Sequence, residues 1–96
     1  MSLLENVKKV INNRENTINE LVELIRTAQE KSVCIIVKSS KGSLKITPDG
    51  IVIPAFLFKR KISEEKLWQL PFPNSKIFQL FNKVSSTSHQ IEIASI

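Results

Sequence analysis

The chain has 96 residues, 42% of them hydrophobic and 24% charged, with a formal net charge of +5. That length suits one domain, residues 1–96, and is short for two. No apolar run approaches the ~18 residues of a membrane span, Met1-Ser2-Leu3-Leu4-Glu5 lacks the basic-then-apolar order of a signal peptide, and a single cysteine forms no internal disulfide. A soluble, cytoplasmic protein that does not engage membranes is expected.

Residues 3–30 contain neither glycine nor proline, and their apolar side chains recur every three or four positions. Leu4, Val7, Ile11, Arg14, Ile18, Leu21, Ile25 and Ala28 trace a heptad seam in which Arg14 is the polar member. The spacing predicts an amphipathic helix. Asn12 and Asn13 have poor helix propensity, and Asn13 or Asn16 could cap a new helix, so a break into two is open. Leu3, Val10, Val22 and Leu24 widen the stripe, which suits packing on the chain's own sheet as well as on another helix. A coiled-coil-like pairing with a second copy, giving a homodimer, is the sharper alternative.

Residues 32–58 read as a three-stranded antiparallel meander. Ser32–Lys38 is β-branched and apolar, Ser39-Ser40-Lys41-Gly42 is a turn, and Ser43–Thr47 alternates. In Thr47-Pro48-Asp49-Gly50, proline presets φ, aspartate supports the bend and glycine supplies positive φ. Placing Lys38 opposite Ser43 sets Val37 opposite Leu44 and Ile35 opposite Ile46, all four on the core side. Lys38, Lys45, Ser43 and Thr47 then share the other side. The third strand, Ile51–Phe58, is apolar on both faces, which demands cover on both, and Pro54 suggests an edge or a bulge.

Residues 63–84 read as a helical hairpin. Ser63 is a candidate cap with Glu64 and Glu65 in the first turn, and the first helix should stop before Pro71. Asn74 could cap the second, whose apolar stripe is Ile77, Leu80, Phe81 and Val84. The pair also resembles a helix-turn-helix in outline, with Lys76, Gln79, Asn82 and Lys83 outward. Its connector has two prolines and no glycine, so helices that close the core are the simpler expectation. His89–Ile96 alternates, with Ile91 and Ile93 inward, and predicts a last strand. The expected class is α+β.

Chemistry-bearing groups are sparse. Gly42 and Gly50 both sit in turns, so no glycine loop is available to cradle phosphate. His89 is the sole histidine and Asp49 the sole aspartate, leaving little from which to assemble a catalytic triad. One cysteine and one histidine do not close a zinc site. Cys34, between Val33 and Ile35, reads as a small half-buried hydrophobe. No catalysis, cofactor, metal or small-molecule substrate is expected.

Charge is the best functional clue. Residues 32–61 hold Lys38, Lys41, Lys45, Lys59, Arg60 and Lys61 against Asp49, and the flanking segments are each neutral. A basic face of this kind neutralises phosphates and releases counterions, so nucleic-acid binding through those six residues is the leading expectation. Lysines that blunt a sheet edge are the plainer account. Trp68, Phe72 and Phe78 fall off the cleanest stripes and could stack on bases or form a partner patch. A protein-interaction module acting through the helical seam and the third strand is the alternative.

Overall fold

The computed structural model describes residues 2–12, 18–53, 60–71 and 75–95. In chain order they form α1 (Leu3–Ile11), α2 (Ile18–Lys31), β1 (Val33–Ser39), β2 (Gly42–Thr47), β3 (Gly50–Ile53), β4 (Arg60–Ile62), α3 (Glu64–Gln69), α4 (Lys76–Ser86) and β5 (His89–Ser95). The strands make one antiparallel sheet of order β4-β3-β2-β1-β5. The class is α+β.

The N-terminal segment contains two helices. The Ser2 hydroxyl accepts a hydrogen bond from the Glu5 amide at 3.2 Å and starts α1. Asn12 closes it, its amide donating to the Lys8 carbonyl at 2.9 Å. The long seam is therefore divided. Val7 and Ile11 from α1, with Leu21 and Ile25 from α2, are at most 1% exposed and belong to the chain's own core. Ile18 packs against that core, Leu4 stays 37% exposed, and Arg14 lies outside the described residues. Val22, Leu24 and Ala28 are buried too, so α2 offers a broad face. A broad face fits a sheet, whereas a coiled coil uses a narrow stripe.

The expected hairpin registers hold. Ile35 pairs with Ile46, Val37 with Leu44 and Lys38 with Ser43. Two-residue loops, Ser40-Lys41 and Pro48-Asp49, join β1 to β2 and β2 to β3. The Thr47 hydroxyl braces the second loop, donating to the Gly50 carbonyl at 2.9 Å and accepting from the Asp49 amide at 3.2 Å. Gly50 has φ of +143°, where a side chain is strained.

The third strand departs from expectation. Over the described Gly50–Ile53 it is an interior strand, hydrogen-bonded to β2 on one side and β4 on the other, rather than an edge. Among the described residues the edge is β4, whose described part, Arg60-Lys61-Ile62, is too short for sequence patterning to reveal. The proposed continuation to Phe58 lies outside the described residues.

All four helices bury their apolar faces on one side of the sheet. Leu67 from α3 and Ile77, Phe78, Phe81 and Val84 from α4 join Ile35, Val37, Leu44, Ile46, Ile51 and Ile62 in a single buried cluster with α1 and α2. Ser63 caps α3, accepting from the Lys66 amide at 3.3 Å. Ser75, rather than Asn74, occupies the cap position of α4, and its hydroxyl makes no capping bond. On α4 it is Phe78 that is fully buried, while Leu80 packs at the margin. The other face of the sheet carries no helix among the described residues.

Candidate nucleic-acid interface

Strand alternation sorts the side chains between the two faces. With Ile35, Val37, Leu44, Ile46 and Ile51 facing the helices, Cys34, Ile36, Lys38, Ser43, Lys45 and Val52 face away. One row runs across the whole sheet through paired positions: Glu92, Ile36, Lys45, Val52 and Lys61. Lys38 stands two residues along β1 from Ile36 and shares that face. Three lysines from β1, β2 and β4 thus converge on the helix-free side.

Sheet geometry sets their spacing. Lys45 and Lys61 are two strands apart, about 10 Å at the backbone, and Lys38 is about 8 Å from Lys45. Between them lie Ile36 and Val52, half-buried and apolar. Cys34, half-buried and unpaired, is on the same face. Lys41 is exposed at the tip of the first hairpin.

Two of the lysines have acidic neighbours. Lys38 Nζ lies 3.7 Å from Glu92 Oε1, and Lys61 Nζ lies 3.3 Å from Asp49 Oδ2. Every side chain in these pairs is more than half exposed. Exposed pairs contribute between nothing and about 1 kcal/mol, so either ammonium can turn to another anion at little cost.

The remaining residues singled out by sequence fall as follows. Lys59 and the Arg60 side chain lie outside the described residues, although the Arg60 backbone pairs with Ile53 in β4. Phe78 is 0% exposed in the core, so it cannot stack on a base. Its ring fills the space between α4 and the sheet, a role its off-stripe position concealed. Trp68 on α3 is 51% exposed, but α3 belongs to the helix layer, across the sheet from the lysines. Phe72 lies outside the described residues. Lys76, Gln79, Asn82 and Lys83 are exposed along α4. The His89 ring approaches the Thr87 carbonyl, its Nδ1 donating at 2.8 Å, at the margin of the sheet.

Sequence patterning did not reveal a groove of about 630 Å³ between α1 and α2, floored by Val7, Val10 and Leu24. Glu20, Glu23 and Glu30 line it together with Lys9 and Lys31, leaving one acid in excess. Among the described residues no cluster of three His, Cys, Asp or Glu side chains forms, and no helix is long and apolar enough to cross a membrane. The chain matches no family model, no curated protein and no solved structure.

Proposed function

We propose that this protein is a non-enzymatic nucleic-acid-binding module of the cell interior that holds the phosphate backbone on the open face of its sheet. The observation that carries the reading is the convergence of Lys38, Lys45 and Lys61, from three strands, on the side without helices, with Lys41 at the adjoining hairpin tip. Each ammonium replaces a condensed counterion at a phosphate, and the released ions drive association. Ile36 and Val52 offer an apolar floor for sugar or base edges. No aromatic side chain lies on this face among the described residues, so base stacking contributes little and binding is indifferent to sequence.

The test is a fluorescence anisotropy titration of labelled single- and double-stranded DNA and RNA over a range of salt. Four lysine contacts give a fall of log K with log salt of slope about −3 on a single strand. Replacing Lys38, Lys45 and Lys61 together with alanine reduces both affinity and slope. Binding no tighter than that of a neutral control protein, or a slope unmoved by the triple substitution, overturns the reading.

A further inference from the structure

The two edges of the sheet are built differently. β4, described over Arg60–Ile62, contains two adjacent basic residues, Arg60 and Lys61. Basic side chains on an edge strand discourage another strand from pairing with it. β5 has seven residues in unbroken register with β1, from Val33–Ser95 to Ser39–His89. Its one acid, Glu92, sits beside Lys38. None of the usual protections (short length, lysine, proline, bulge) is present on β5.

The helix layer also runs out above this edge. Val37 and Ile35 on β1 are 1% and 0% exposed, yet their partners on β5, Ile91 and Ile93, are only partly buried. α1 packs on α2 and over β5. On α1, Leu3, Asn6 and Val10 face the groove toward α2. At about 100° per residue, Leu4 lies on the opposite flank, beyond β5. Leu4 is one of two large apolar side chains left exposed among the described residues. An open strand edge and an exposed leucine in the layer above it therefore share one side of the molecule.

We infer that β5 is a dimerisation edge, pairing antiparallel with β5 of a second copy to make one continuous ten-stranded sheet. A peptide strand added at this edge would satisfy the backbone but leave Leu4 facing water. A second copy related by a two-fold axis normal to the sheet supplies both: its own β5 edge and its own α1, with the two Leu4 side chains meeting above the join. That axis keeps the helices on one side, so paired residues share parity. Complete overlap would set Glu92 against its copy. A shift of one pleat sets Ile91 against Ile91, Gln90 against Glu92 and His89 against Ile93, which removes the like-charge contact. The open lysine faces then lie side by side on a common surface. This pairing does not depend on nucleic acid.

Sedimentation equilibrium of the full chain without nucleic acid, from micromolar to millimolar concentration, tests it. A monomer–dimer equilibrium is expected. Hydrogen exchange should slow with concentration at alternate amides of residues 89–95 and not in β4. Leu4→Glu and Gln90→Glu, both at exposed positions, should each weaken the dimer about tenfold or more, while circular dichroism and melting at concentrations where the parent chain is monomeric stay unchanged. A monomer throughout the range, a dimer indifferent to both substitutions, or β5 exchange independent of concentration would falsify the inference.

Discussion

Gly50 stands directly against the carbonyl group of Ile62. A Cβ at Gly50 would collide with that oxygen and would lie 2.9 Å from the Ile62 carbonyl carbon and from Cα of Ser63. One backbone position thus closes the β2–β3 turn, admits β4 alongside β3, and seats the cap of α3. Gly50→Ala should destabilise the protein by about 3 kcal/mol, because strain at φ of +143° adds to a clash with backbone that cannot swing aside. Urea denaturation measures it. At Gly42 the added Cβ would meet the end of the Leu80 side chain at 2.7 Å, which can rotate away, so Gly42→Ala should cost less.

Phe78 and Trp68 are both aromatic, both in the C-terminal helices, and opposite in burial, at 0% and 51% exposed. Phe78→Ala should cost about 3–5 kcal/mol through lost transfer energy and the cavity left behind. Trp68→Ala should change stability by no more than about 1 kcal/mol. Thermal or chemical unfolding of the two variants side by side decides the point. Equal costs would mean that Trp68 is covered in solution.

Ser63 and Ser75 occupy equivalent cap positions and should respond differently to alanine. Ser63 bonds the Lys66 amide, and Ser63→Ala should lose about 1 kcal/mol. The Ser75 hydroxyl oxygen is buried with no hydrogen-bond partner. Removing an unsatisfied buried hydroxyl removes its desolvation penalty, so Ser75→Ala should be neutral or stabilise by up to about 1 kcal/mol. Denaturation midpoints compared with the parent protein provide the readout.

Glu92 is the acid among the described residues of the lysine row. Glu92→Gln should strengthen binding to nucleic acid at low salt by releasing Lys38, while shifting stability by less than about 1 kcal/mol. Lys45→Glu should abolish the same binding, and Lys83→Glu on α4 should leave it intact. The reverse pattern, with loss on Lys83→Glu and none on Lys45→Glu, would move the contact from the sheet to the helical hairpin. Anisotropy titrations at one fixed salt concentration compare the three variants.

Local chemistry determined much of this molecule before any tertiary contact. The alternation of Ile35, Val37, Leu44 and Ile46 specified the first hairpin register, because a slip by one residue would turn a strand's core-facing side chains to the other face, and Pro48-Asp49-Gly50 marked the second turn. The same alternation placed Lys38 and Lys45 on one face. Tertiary structure decided what no local period encodes. It brought Lys61 into line with Lys45 through β4, whose described part is too short for a pattern of its own. It sent Phe78 inward and left Trp68 exposed, although both lie off the apolar stripes. It also ended α1 at Ile11 and turned Val7, Ile11, Leu21 and Ile25 onto the sheet. A heptad seam and a sheet-covering face both repeat every three or four residues. Only the surface available to bury them separates the two, and here that surface was the chain's own sheet.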